Sequence, residues 1–293
     1  MGLTKSLVLE VLHDPGAQGI TATVDVVLIH GLNGDSVKTW THETTQVCWP
    51  RDLLPDVLPS ARVLSLCYNA DIHGNTSVAG IRGNAQVLLA RLRDLRDEGN
   101  HDKPIVFVAH SLGGIILKQA LYLAQLDRRC HALFSATRGL LLYGTPHFGA
   151  DQSRWLSMAK SFAPLISRRF SMRSSHTKLV DSLTRHSPDI SNICEDFRFL
   201  ARRFAIVSFY ETEVWPGTRA PILERMNSLM HLEHEEQVPL EANHVNLCRF
   251  RDAHDSGFML SCRYIAQISQ GIGHGPDERL VLEVWGGNGL VEW

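Results

Sequence analysis

Residues Val106 to Gly114, VFVAHSLGG, set a serine at the junction of two kinds of element. Ile105 to Ala109 is a continuous apolar run of strand type, and an apolar helical segment begins just after Ser111. Ala109 and Gly113 are the second neighbours of that serine. Strand, sharp turn and helix with small residues at those two positions make a nucleophile elbow, which holds a hydroxyl on strained backbone. Small residues are needed because side chains two positions apart nearly collide across the turn. The usual pattern has Gly at both places. Here Ala109 stands at the first and adds one methyl. The chemistry of such a serine is acyl transfer through a covalent intermediate.

A serine hydroxyl is a poor nucleophile until an imidazole takes its proton. In the elbow-bearing fold the order along the chain is serine, acid, histidine, with the histidine on a late loop. Of 15 histidines, His244 in LEANHVNLC (240–248) fits that order, following a short strand and preceding an apolar helix. His231 and His234 lie in an acidic, helix-like stretch that is expected to face solvent. Their spacing comes with no third ligand for a metal. His110, beside the nucleophile, is expected to pack. The acid should come off the strand Phe204 to Phe209. Glu211 leaves it directly and is preferred to Glu213; its task would be to hold the imidazole in the right tautomer.

The oxyanion formed on attack needs two converging N–H groups. Leu112, the residue after the serine, offers one at a helix N-terminus, where the dipole assists. The loop His30-Gly31-Leu32-Asn33-Gly34 offers the other through Leu32, with Gly31 and Gly34 permitting tight backbone.

The elements that must position these groups alternate between strand-like and helix-like runs. That alternation predicts a mostly parallel sheet covered on both faces. Strands are expected at Ser6–Leu12, Asp25–His30, Val63–Leu66, Ile105–Ala109, Leu140–Tyr143, Phe204–Phe209 and Gln237–Leu240. The second is apolar and β-branched enough to be central. Val78, Ile81, Ala85, Leu88, Leu89, Leu92 and Leu95 recur at helical spacing over 78–98, and Gly99 is a stop. Residues 112–126 form an apolar, buried helix. Residues 151–203 read as a helical insertion, with Trp155, Met158, Phe162 and Leu165 among many arginines, expected to cap the site. Residues 257–293 read as a helix and then an extended segment over Leu280–Trp285, with the glycines of 271–275 in a turn.

The 293 residues fit one large domain spanning the chain, able to bury about three quarters of its unfolded surface. A net charge of −2 gives no electrostatic footprint for nucleic acid. Arg168, Arg169 and Arg173 are the densest basic patch and read as a solvated helix face. Six cysteines with no C-x-x-C spacing, and no signal-peptide pattern, point to reduced thiols and a cytoplasmic location. No apolar run is long enough to span a membrane. Met1 to Ser6 fits the short M-G-x-x-x-[ST] acylation pattern, but Gly2 is read as merely preceding the first strand. A membrane-surface role is therefore not favoured.

The chain resembles the serine esterases of the α/β-hydrolase superfamily. That group includes the serine-active-site-containing mitochondrial proteins and the hydrolase domains at the front of fungal NACHT-type receptors. The matching segments are Val27–Gly34 with Thr39-Trp40, Trp49–Pro55, Val106–Gly114, Tyr143–Gly149, Ser208–Thr212 and Asn243–Phe250. The resemblance implies Ser111 as nucleophile, His244 as base and Glu211 as acid, and sets Thr145-Pro146-His147 near the site as structure. The chain departs from that group in carrying no NACHT module or repeat array after the hydrolase region, so a free-standing enzyme is the expectation. The expected activity is that of a serine hydrolase on a small hydrophobic carboxylic ester, lactone or thioester, with no cofactor or metal. Three alternatives stay open. One is an acyltransferase or cyclase of secondary metabolism using the same triad, and another a phospholipase-like lipid-remodelling enzyme. The third is a non-catalytic binding or signalling module on a hydrolase scaffold.

Overall fold

A computed structural model describes residues 8–68, 78–96, 102–147, 187–216 and 220–271. Seven strands form one sheet: β1 (Val8–His13), β2 (Val24–Ile29), β3 (Ala61–Cys67), β4 (Ile105–His110), β5 (Thr137–Tyr143), β6 (Ala205–Glu211) and β7 (Glu235–Leu240). Their order is β1-β3-β2-β4-β5-β6-β7, with β1 antiparallel to β3 and every other pairing parallel. The sheet is the mostly parallel one that the alternation of strand-like and helix-like runs predicts. β4, which ends at the serine, is the middle strand, and β2 lies one place from it. β5 begins three residues before the expected Leu140, because Thr137 and Gly139 already pair with Ile105 and Val106 of β4.

The inner strands are apolar on both faces, and alternate residues feed two cores. Val27, Ile29, Phe107, Ala109, Leu140, Leu142 and Ile206 enter one cluster. Val26, Leu28, Val106, Val108, Leu141, Tyr143, Val207 and Phe209 enter the other. Short α1 (Trp49–Asp52) and α2 (Leu54–Val57) supply Trp49 and Leu54 to the second core. The first core is covered by α3 (Val78–Arg96), α4 (Gly113–Leu126), α5 (His131–Ala136) and α6 (Ser187–Leu200). The second is covered by α7 (Ser256–Ser269), whose N-cap Asp255 accepts a hydrogen bond from the Gly257 amide at 3.0 Å.

α6 bears on the expected insertion. Ile190, Ile193, Cys194, Phe197 and Leu200 are buried in the first core with residues of α4. Residues 187–203 are therefore the last part of the connection from β5 to β6, and their apolar side chains pack in the first core. Residues 151–186 lie outside the described residues, as do Gly2, the three arginines 168, 169 and 173, and the segment from 272 onward. The stretch around His231 and His234 is turn rather than helix. Glu235 there accepts from Ser208 and from the Met230 amide, which holds the chain ready to enter β7.

At the amino ends of the strands, opposite the serine, Asp25 is fully buried in a cationic nest. Arg62 from the neighbouring strand reaches it with two hydrogen bonds of 2.7 and 2.9 Å. Arg96 and Lys103 complete the nest. Burial alone would raise the Asp25 pKa; the three cations overcome that and hold the carboxyl below its usual range. All six cysteines carry free thiols. No described helix is long and apolar enough to cross a membrane.

Candidate active site

β4 ends at His110, and the chain turns at once into α4. Ser111 sits in that turn with φ 55°, a left-handed conformation that costs a non-glycine residue roughly 1–3 kcal/mol. The surroundings over-determine it. The Ser111 amide donates to the Tyr143 carbonyl at 2.8 Å, tying the turn to β5. A Cβ on Gly113 would collide with the carbonyls of Ile29 and His30. A Cβ on Gly31 would stand 2.8 Å from the Ser111 Cβ and 2.9 Å from the His110 carbonyl. Both glycines are thus demanded by the close approach of the end of β2 and its following loop to the Ser111 turn. Ala109, the departure from the usual elbow, is buried in the first core, where its methyl is accommodated.

Ser111 Oγ lies 3.0 Å from His244 Nε2, and His244 Nδ1 lies 3.1 Å from Glu211 Oε1. The three residues come from the ends of β4 and β6 and the loop after β7, and are 2%, 1% and 3% exposed in the order Ser111, His244, Glu211. The proton positions follow from the partners. Glu211 Oε1 also accepts from the Leu223 amide at 2.7 Å, so the carboxylate is an acceptor and Nδ1 of His244 carries its proton. Nε2 is then left as the acceptor facing the serine hydroxyl. Glu213 takes no part: its side chain is exposed, and its amide donates to the Ala242 carbonyl at 3.2 Å.

The His244 loop is shaped locally and clamped from a distance. Asn243 Oδ1 accepts from the amides of Val245 and Asn246, both at 3.2 Å, closing a turn around the histidine. Gly144, at φ 52°, lets the imidazole approach; a Cβ there would be 2.9 Å from His244 Cε1. His110 does more than pack. Its Nε2 is 2.9 Å from the His244 carbonyl, which can only accept, so Nε2–H of His110 is the donor. Burial, with the neighbouring His244 adding to it, pushes the His110 pKa down to about 3. The ring stays neutral across the working range. Neither this bond nor the Leu223 amide has a local signal in the sequence, because each joins distant segments.

Leu112 follows the serine in the turn that caps α4, and Leu32 lies in the loop after β2, next to the Gly31 that approaches Ser111. Among the described residues, neither amide is hydrogen-bonded to a protein acceptor. Thr145 is fully buried and occupies the space that a side chain on Gly114 would fill, so it braces the first turn of α4. Among the described residues no group of three or more His, Cys, Asp or Glu side chains is arranged to hold a metal ion.

Comparison with known proteins agrees with the architecture. Protein SERAC1 of Danio rerio is 28% identical over 264 residues, covering 82% of this chain and 38% of that protein. Protein SERAC1 of Homo sapiens is 24% identical over 259 residues with the same coverage. The chain therefore spans well under half the length of these curated relatives. Among solved structures, a carboxylesterase of the thaumarchaeon Nitrososphaera superposes with a TM-score of 0.52 at 11% identity, over 90% of this chain and 96% of that one. The peroxisomal alpha-beta-hydrolase Lpx1 of Saccharomyces cerevisiae gives 0.52 at 13% identity, over 94% and 88%. At such identities the likeness is one of fold. The family model described as the alpha/beta hydrolase family matches residues 26–257, a span that holds Ser111, Glu211 and His244, and the chain belongs to that family.

Proposed function

We propose that the chain is a serine hydrolase acting through an acyl-enzyme on a hydrophobic carboxylic ester, lactone or thioester. The observation that carries this reading is the unbroken hydrogen-bond chain from Ser111 through His244 to Glu211. Ser111 Oγ attacks the acyl carbonyl as His244 Nε2 takes its proton, and Glu211 steadies the imidazolium that results. The Leu32 and Leu112 amides receive the developing oxyanion. His244 then returns the proton to the leaving group. Water, deprotonated by the same imidazole, releases the acid and restores the serine. The apolar side chains of Leu32 and Leu112, partly buried against the first core, favour an acyl group of low polarity.

Labelling with a fluorophosphonate tests the reading, with wild type beside Ser111→Ala and His244→Ala and the modified peptide identified by mass spectrometry. Labelling at Ser111 that disappears in both variants is the expected result. A folded wild-type protein that stays unlabelled overturns it and favours a binding module on the same scaffold.

A further inference from the structure

We propose that Tyr68 is a positioning residue for the oxyanion-binding loop, an inference that rests on the serine-hydrolase reading above. β2 ends its pairing at Ile29, so the His30 carbonyl has left the sheet ladder while still fully buried. A buried carbonyl needs a donor. Tyr68, one residue beyond β3, supplies it: its hydroxyl donates to His30 O at 2.5 Å. Its ring stacks on the His30 imidazole, with centroids 4.1 Å apart and planes 8° from parallel.

The contact sits where the loop's direction is decided. On one side a Gly31 side chain would strike Ser111. On the other, a Cβ on Gly34 would come within 2.6 Å of His30 Nδ1. Gly31 O accepts from the Gly34 amide at 3.0 Å and lies 3.0 Å from His30 Nδ1, which closes the turn 31–34 onto the His30 ring. His30 is thus the anchor of the loop, and Tyr68 holds His30 by both its carbonyl and its ring. The Leu32 amide is two residues beyond that anchor. Catalytic donors must sit within a fraction of an ångström of the charge they receive, and a displacement of about 1 Å can cost on the order of a hundredfold. Tyr68 does not touch the reacting atoms; it acts through the backbone of His30. Burial pushes its pKa upward, so the hydroxyl remains a donor at any working pH.

Tyr68→Phe keeps the stacked ring and removes only the hydroxyl. The readout is the kinetics of fluorophosphonate labelling of Ser111, resolved into probe affinity and the rate of the bond-forming step. Thermal unfolding and the pH dependence of labelling are followed in parallel. We expect the bond-forming rate to fall about tenfold to a hundredfold, with probe affinity within about twofold and the pH dependence unchanged. A Tyr68→Phe protein that labels at the wild-type rate overturns the inference. So does a loss that matches the unfolded fraction. Wild-type protein that does not label Ser111 overturns the hydrolase reading itself, a separate outcome.

Discussion

His110 Nε2 lies 2.9 Å from the main-chain carbonyl of His244, so the residue preceding Ser111 grips the loop that carries the imidazole. The bond spans 134 residues and couples the two halves of the Ser111–His244 contact.

The neutral state of the part-buried His110 has a pH signature. Desolvation holds its folded pKa down at about 3, against about 6.5 for a free imidazole. The unfolded chain therefore binds a proton that the folded chain refuses. Stability is intact above about pH 6.5 and is lost as pH falls toward about 3. Equilibrium unfolding of wild type and His110→Gln, followed between pH 6 and 4, checks this. The variant should lose less stability on acidification, by up to one proton or about 1.4 kcal/mol per pH unit. Identical slopes would show that His110 does not bear this cost.

Glu211 and Glu213 separate cleanly in the structure. Glu211 Oε1 receives both the His244 imidazole and the Leu223 amide, while the Glu213 side chain faces solvent. Glu211→Gln offers the imidazole an amide in place of a carboxylate and should lower turnover by about 10²- to 10⁴-fold. Glu213→Gln should remain within about twofold of wild type. Initial rates on a p-nitrophenyl ester measure both. An inactive Glu213→Gln beside an active Glu211→Gln would reverse the assignment.

Glycines at two helical positions should respond in opposite directions. Gly83 lies inside α3 with nothing near its missing Cβ. Gly83→Ala should stabilise by about 0.5–1 kcal/mol, because alanine reduces the freedom of the unfolded chain and suits a helix. Gly113 begins α4 against the carbonyls of Ile29 and His30. Gly113→Ala should destabilise by about 1–3 kcal/mol and impair labelling of Ser111. Urea unfolding midpoints compare the two, and a neutral Gly113→Ala would refute the close approach.

Much of the architecture was legible along the chain, and the reason is local. A strand buried on both faces must be apolar throughout, as Val106, Phe107 and Val108 are. A helix against a sheet must repeat every three to four residues, as Ile81, Ala85, Leu88 and Leu92 do. The elbow could be read because strand, turn and helix are consecutive. The order serine, acid, histidine named Ser111, Glu211 and His244, but which glutamate meets the imidazole depended on where each side chain points off the end of β6. The sequence could not show that β1 runs antiparallel, since pairing direction leaves no mark on an edge strand. Nor could it show that the helix Ser187–Leu200 packs on α4. Its amphipathic spacing serves that place or a cap, and in the structure Ile190 and Phe197 are buried in the first core. The contacts that aim the candidate groups were beyond reach for the same reason: Tyr68 to His30, Leu223 to Glu211 and His110 to His244 join positions 38, 12 and 134 residues apart. Periodicity and spacing determine what each segment becomes. Hydrogen bonds between segments far apart in the chain exist only once the sheet has brought them together.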